Sequence, residues 1–390
     1  MAEIWAHRAD LAEEAIAARH GTKLWGIPGT NLAVVAWPPI QSERLFVQWH
    51  YWWQAHYLDC LVDANLRRST KQRRFRINRT ARAVAWRNVG KLVRNSYYDD
   101  KAWLALALAR AAEADKVRRP KQLEALQSNL LAGIDGTRRV LPWRSKDNFF
   151  NVPANGPAAI MMARTGRVEE ARTIVDWILA NLMNKDGLVM DGIRDKDAGP
   201  HTVTAIYTYN QGTLLGAMVE LSLLNDEALA ASAPSATSGD YYQEITSLIQ
   251  AISMHMATPA GVIDHPRDGV GDGGLFRGIL VRYLADAAVR LPESQVAAKA
   301  AAERLVMASA ESMWENRLEV DGLPVFPCRW TEDARLPHNY YRDIEHSSGN
   351  AASNLSNIAE RELSCQLSGW MLLEAAARIT AHKAKGNPML

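Results

Sequence analysis

Asp99 and Asp100 stand side by side behind Tyr97 and Tyr98, with Lys101 following them. From Ala102 to Ala109 the chain holds only Ala, Leu and Trp. As a helix, that run is apolar on every side and must be buried on every side. Two acids at the mouth of a buried helix can work on one bond, one attacking and the other donating a proton. That is the usual equipment for breaking a glycosidic linkage. Cleavage with retention needs carboxyls about 5–5.5 Å apart. Neighbouring Cα atoms are about 3.8 Å apart, and successive helical side chains diverge by about 100°. Adjacent acids therefore flank one sugar bond only near a helix start, where the backbone is free to splay them. Two close carboxylates also resist joint ionisation, so one stays protonated. The helix N-terminus helps the other keep its charge. The same pair would serve as plain helix caps, so the reading depends on the surroundings.

The helix behind the acids belongs to a largely helical chain. Its period marks helices over Ile4–Arg19, Arg44–Asn65, Thr80–Val93, Lys101–Ala114, Pro120–Ala132, Ala158–Met162, Val168–Leu182, Gly212–Leu224, Tyr241–His255, Phe276–Arg290, Gln295–Glu315 and Leu363–Ala381. Strand signals are short: Gly187–Ile193, Gly261–Asp264 and Gly322–Cys328. Strands and helices do not alternate, which excludes a parallel α/β sheet. Ala230–Gly239 reads as a loop within one continuing helical pattern.

Six segments share a polar or aromatic lip followed by a helix of small and apolar residues. They are Trp52-Trp53-Gln54, Tyr98-Asp99-Asp100, Asn155-Gly156-Pro157, Tyr209-Asn210-Gln211-Gly212, Leu275-Phe276-Arg277-Gly278 and Gln366-Leu367-Ser368-Gly369-Trp370. Roughly 50 to 90 residues separate successive lips, room for two helices each. The pattern predicts six helical hairpins closed into a ring, an all-α (α/α)6 barrel in one domain over residues 1–390. Small β-hairpins fill its loops, and the lips meet at one rim. Candidate sugar contacts follow from side-chain type. Trp52, Trp53, Tyr98 and Phe276 offer ring faces, as does Trp103, for which a core role fits as well. Tyr209, Asn210, Gln211 and Asn155 offer hydroxyl and amide partners, although helix-start or turn roles would also use them. Asp272 would take a pair of sugar hydroxyls or shape its glycine-rich turn. Arg277 would pair with an acid at the rim or lie in solvent.

With 390 residues, 48 % hydrophobic and 23 % charged, the composition is that of an ordinary globular protein. The net charge of +2 sets up no strong field. Arg67, Arg68, Lys71, Arg73, Arg74, Arg76, Arg79 and Arg82 are the exception, a basic run without an acid, expected as an exposed loop. Cys60, Cys328 and Cys365 are far apart and odd in number, which argues against a disulfide framework and for a reducing compartment. Residues 1–19 lack the basic start and apolar block of a signal peptide, and no apolar run is long enough to span a membrane. A cytoplasmic monomer is the expectation.

Taken together, the lips resemble glycoside hydrolase family 76, the α-1,6-mannanase family. The likeness is carried by Tyr98-Asp99-Asp100-Lys101-Ala102-Trp103, Pro153-Ala154-Asn155-Gly156-Pro157, Thr208-Tyr209-Asn210-Gln211-Gly212 and Gly273-Gly274-Leu275-Phe276-Arg277-Gly278-Ile279, within a span from about Trp52 to Trp370. The resemblance implies an (α/α)6 barrel and retaining, endo-acting hydrolysis of α-1,6-linked mannose chains by double displacement, without a cofactor. By motif position, Asp99 would be the nucleophile and Asp100 the general acid/base. The substrate would be α-1,6-mannan, a lipomannan-like glycan or a manno-oligosaccharide. The basic run lies outside the likeness.

Other signals carry less. Gly269-Val270-Gly271-Asp272-Gly273-Gly274 matches a dinucleotide spacing but follows no strand of a βαβ unit. His201, His265, His338 and His346 are scattered, without a metal-ligand spacing. There is no Gly-x-Ser-x-Gly element. Two alternatives remain. One is another enzyme on the same barrel, an epimerase or an inverting glucanase, although the lips lack the rim histidines that such epimerases use. The other is a non-catalytic scaffold binding an anionic polymer through Arg67–Arg82; nucleic acid is disfavoured by the net charge.

Overall fold

The computed structural model describes residues 1–115, 120–230, 241–336 and 359–386. Thirteen helices are found among them: α1 (Ala2–Arg19), the short α2 (Gln41–Arg44), α3 (Tyr51–Arg67), α4 (Lys71–Arg87), α5 (Tyr98–Asp115), α6 (Pro120–Ala132), α7 (Val152–Arg164), α8 (Val168–Leu182), α9 (Thr208–Ala230), α10 (Tyr242–His255), α11 (Gly273–Arg290), α12 (Val296–Glu315) and α13 (Leu363–Gly386). In the order α3, α5, α7, α9, α11, α13, each helix packs on the next, and α13 returns to α3, closing an inner ring. Helices α4, α6, α8, α10 and α12 lie outside it, each against the inner helix that precedes it in the chain, and α1 lies outside against α13. This is the (α/α)6 barrel that the hairpin pattern predicts. The inner helices are buried nearly all round: every residue from Ala102 to Ala109 is buried. Glycine lets some of them touch backbone to backbone. A Cβ on Gly212 would lie 2.8 Å from the Cα of Leu280, and one on Gly278 would lie 2.6 Å from the Cα of Ser368.

Three small antiparallel sheets fill the loops: β1 (Gly21–Thr22) with β2 (Leu32–Ala33), β3 (Phe149–Asn151) with β4 (Met190–Lys196) and β5 (Gly199–Ile206), and β6 (Leu318–Val320) with β7 (Leu323–Val325). Gly261–Asp264 forms no strand; Ile263 makes a single bridge to Ala257. The Ala230–Gly239 loop lies beyond Ala230 outside the described residues, as do His338 and His346.

The basic run is mostly helix. Thr70 caps α4 by accepting from the Arg73 N–H at 3.2 Å, and arginine is a good helix former. Its acids come from distant segments. Arg67 pairs with Asp10 at 2.7 Å and Glu374 at 2.8 Å, Arg73 with Glu13 at 2.6 Å, and Arg76 with Glu13 at 3.0 Å. Arg67 thus bolts α3 to α1 and α13, while Arg73 and Arg76 bolt α4 to α1. A second set of ion pairs closes the C-terminal halves of the inner helices. Arg110 and Arg282 share Asp59 and Asp63, while Arg164, Arg290 and Arg378 surround Glu220 and Asp286. Burial opposes charge on Asp286, but Arg378, Arg164 and Arg290 together hold its carboxyl well below the usual range. Cys328 and Cys365, 37 residues apart, are joined in a disulfide with Cα atoms 5.1 Å apart, so the expectation of unpaired cysteines fails; Cys60 is free and buried. No described helix is long and apolar enough to cross a membrane.

Near the rim, four inner-helix carboxamides each bind both backbone groups of one loop residue. Gln54 takes Ala33, Asn155 takes Leu141, Gln211 takes Val189 and Gln366 takes Phe326, all at 2.7–3.1 Å. Removing one leaves a buried N–H and C=O unpaired, at about 1–3 kcal/mol each. Gln211→Leu should therefore lower unfolding stability by about 2–4 kcal/mol in urea titration.

Candidate active site

The first turn of α5 is built from behind. The Tyr98 N–H donates to the Trp143 carbonyl at 2.9 Å, and the Trp143 N–H to the Phe149 carbonyl at 2.6 Å. This places the Trp143 indole beside the acids, where its Nε1 donates to Asp99 Oδ2 at 3.0 Å. The Asp100 N–H donates to Asp99 Oδ1 at 2.9 Å. Asn95, whose own Oδ1 caps the Tyr97 N–H at 3.0 Å, donates through Nδ2 to Asp100 Oδ2. The two neighbouring carboxylates therefore have separate partners.

Asp99 lies in the wall of a cleft of about 570 Å³ at the rim. Asp100 is partly exposed beside it and does not line the cavity. Burial pushes Asp99 up to about 6; the Trp143 and backbone hydrogen bonds oppose the shift and the Asp272 charge adds to it. Asp100 is raised well above the ordinary range by burial first and then by the charge of Asp99. The environment thus makes Asp99 the easier of the two to ionise and Asp100 the more persistent proton holder.

Three further carboxylates reach the cleft, Asp268, which is paired with Arg277, and the two that follow. Asp272 stands just before α11, and its Oδ1 accepts from Trp52 Nε1 at 3.0 Å and Trp53 Nε1 at 2.9 Å. Asp191, which the sequence reading missed, sits where the β4–β5 register shifts between Met190 and Gly192. Such an irregularity re-aims a side chain and is common beside active sites. Asn210 Nδ2 donates to Asp191 at 3.1 Å, and burial raises Asp191 to about 6. The only sequence signal for it was the Met190-Asp191-Gly192 step inside a strand. Two groups of rings complete the cleft. Trp143 and Phe149 pack edge to face at 6.2 Å on the Asp99 side. On the Asp272 side, Tyr209 stacks on Phe276 at 4.0 Å, with Tyr207 and Trp52 against the same Phe276. Trp103 also lines the cleft.

Of the candidates read from sequence, Asp99, Trp52, Tyr209, Asp272 and Phe276 line the cleft. Six others have different roles. Trp53 is fully buried, stacked on His50 at 4.3 Å, and reaches the site only by holding Asp272. Tyr98 faces away, its ring 3.8 Å from the buried Lys101 ammonium, which Asn129 Oδ1 also accepts from at 2.7 Å. Asn155 and Gln211 are fully buried backbone clamps inside α7 and α9, neither ligands nor turn residues. Arg277 is buried, 3.2 Å from Asp268 and 3.3 Å from Asp264, and donates to the His265 and Cys328 carbonyls, gathering the loop that carries Asp272. Asn210 is buried and acts through Asp191. Among the described residues, no group of three or more His, Cys, Asp or Glu is arranged to hold a metal ion.

A family model, Glycosyl hydrolase family 76, matches residues 12–363. The chain belongs to this family. It is therefore a glycoside hydrolase, as the lips imply. Solved structures of similar fold include an inactive variant of an α-1,6-mannanase of Salegentibacter sp. HEL1_6, with two consecutive aspartates replaced, in complex with α-1,6-mannotriose. It shares 24% identity over 96% of this chain and 99% of that one, with a TM-score of 0.76. The Lin0763 protein from Listeria innocua shares 23% identity over 97% and 98%, also at 0.76. A family 76 mannosidase of Bacteroides thetaiotaomicron shares 14% over 97% and 99%, at 0.69. No curated protein sequence matches the chain.

The raised carboxyls carry a stability signature in this family 76 chain. An acid whose folded pKa exceeds its unfolded value favours the native state at low pH, and that advantage is lost as pH rises through the folded value. For Asp99 and Asp191 the loss falls between about pH 4 and pH 6. Asp191→Asn should therefore match wild type near pH 4 and exceed it by about 2 kcal/mol near pH 8 in denaturant melts. An equal gain at both pH values would contradict the assigned burial.

Proposed function

We propose that the chain hydrolyses α-1,6-linked mannose chains with retention of configuration, Asp99 acting as nucleophile and Asp100 as general acid/base. The observation that carries the reading is the adjacent pair in the first turn of α5: the more ionisable carboxylate lies in the cleft wall and the proton-holding one beside it. In the first step Asp99 attacks the anomeric carbon while Asp100 gives its proton to the leaving oxygen. In the second, Asp100 takes a proton from water, which releases the mannosyl unit from Asp99. Asp272 and Asp191 bind mannose hydroxyls, held by the paired tryptophans and by Asn210. The similarity to the Salegentibacter α-1,6-mannanase supports the choice of linkage. Rings on both sides of the acids suit a chain running past them in both directions, hence endo action.

Linear α-1,6-mannan should yield a ladder of oligosaccharides, first released as the α-anomer, by product sizing and proton NMR. Asp99→Asn and Asp100→Asn should each abolish turnover while melting as folded proteins; wild-type rates from either would end the assignment.

The pH profile offers a further check. kcat/KM should rise as Asp99 ionises near pH 6 and fall at higher pH as Asp100 loses its proton. The limbs belong to the coupled pair. Trp143→Phe removes a hydrogen bond that lowers Asp99, so the acidic limb should move to higher pH while the alkaline limb moves less. An unmoved acidic limb would count against Asp99 as nucleophile.

A further inference from the structure

A second cavity is larger than the cleft that holds the acids. A groove of about 1310 Å³ runs along the outer wall between the end of α1, the segment 20–45 and the first turns of α4. It shares no lining residue with the catalytic cleft. On one wall Lys71, Phe75 and Arg79 recur every four residues, so α4 presents them as one stripe. On the other stand Lys23, Trp25 and Arg44. All six are exposed. No acid lines the groove. Arg73, which is buried, and Arg76, which also lines the groove, have acid partners in α1. The side chains of Lys23, Arg44, Lys71 and Arg79 have no ion-pair or hydrogen-bond partner among the described residues. Trp25 is fixed in place: its Nε1 donates to the Leu45 carbonyl at 2.7 Å, and its backbone holds a left-handed φ of 50°.

We infer that this groove is a second carbohydrate site, one that takes the phosphate-bearing part of a mannan while the cleft cuts its α-1,6 chain. The inference rests on the mannanase reading for the identity of the sugar. Ammonium and guanidinium groups pair with phosphate oxygens, and the Trp25 and Phe75 faces are free to stack on sugar C–H faces. A neutral glycan would use the rings and leave four cations idle. A nucleic acid would use the cations but calls for a wider basic face than this one, in a chain of net charge +2.

The test compares wild type with the double variant Lys71→Glu, Arg79→Glu. Binding is measured by calorimetry to neutral linear α-1,6-mannan, to the same mannan carrying mannosyl phosphodiesters, and to single-stranded DNA, at about 0.05 M and about 0.3 M salt. Wild type should bind the phosphorylated mannan about tenfold more tightly than the neutral one at low salt, a preference that fades at high salt. The double variant should lose that preference and still hydrolyse neutral α-1,6-mannotetraose at the wild-type rate. Equal affinity of both proteins for the phosphorylated mannan would overturn the proposal. So would DNA binding as tight as that of the phosphorylated mannan. If wild type cuts no neutral mannan yet keeps binding to the phosphorylated polymer that depends on Lys71 and Arg79, the groove stands and the mannanase reading falls.

Discussion

Gln54, Asn155, Gln211 and Gln366 hold the rim of this barrel to its inner helices, and the site depends on them. Loop backbone that enters a protein interior must find partners for its N–H and C=O groups. A barrel of helices has no sheet edge to offer. A carboxamide supplies one acceptor and two donors, so from the first turns of a helix it can pair with a loop residue much as a neighbouring strand would. Gln211 illustrates the consequence. It binds Val189, just ahead of β4, and the preceding Asn210 binds Asp191, two residues further on within β4. One turn of α9 thus sets both the position of the strand and the aim of the carboxylate that it carries into the cleft.

The two ends of the inner ring treat charge in opposite ways. Towards the C-terminal ends of the inner helices, Asp59, Asp63, Glu220 and Asp286 are each matched by arginines. At the rim, Asp99, Asp100 and Asp191 have no cation pairing with them, and all three are pushed upwards. Buried unpaired acids cost stability when ionised. The chain accepts this cost at the end where proton transfer is needed and avoids it at the other. The nearest cation, Lys101, shows the same separation. Its ammonium is turned onto Tyr98 and Asn129 rather than paired with either acid.

The ring of hairpins was legible because an inner helix must be apolar on all sides, and Ala102–Ala109 is nearly diagnostic by itself. The acid pair was legible because adjacency confines it to a helix start. What the sequence concealed was direction. Within one lip, Tyr209 lines the cleft, Asn210 reaches it only through Asp191, and Gln211 is a clamp. Side-chain type is no guide here, since a buried amide suits a sugar hydroxyl and a loop backbone equally well. Trp53 and Trp52 differ in the same way, one beneath Asp272 and the other in the wall. Asp191 was missed because its signal is a register shift between strands, which appears only once they pair. The Cys328–Cys365 bond was missed because the ring closure that joins their segments is a long-range event.

The basic run shows how the same blindness misleads about a whole segment. Counted along the chain, eight cations without an acid look like a solvated loop. In the fold, helical period divides them. Arg73 and Arg76 meet Glu13 of α1, while Lys71 and Arg79 stand exposed over the groove that Arg76 also lines. Glu13 sits near the middle of α1, roughly 60 residues upstream, so no local window could have paired it. The inward cations belong to the fold: once Glu13 and Glu374 are buried, removing Arg73 or Arg67 would leave a charge stranded in the wall. The outward cations balance nothing in the described structure. Exposed and without an acid beside them, they are available to an anion from outside the chain.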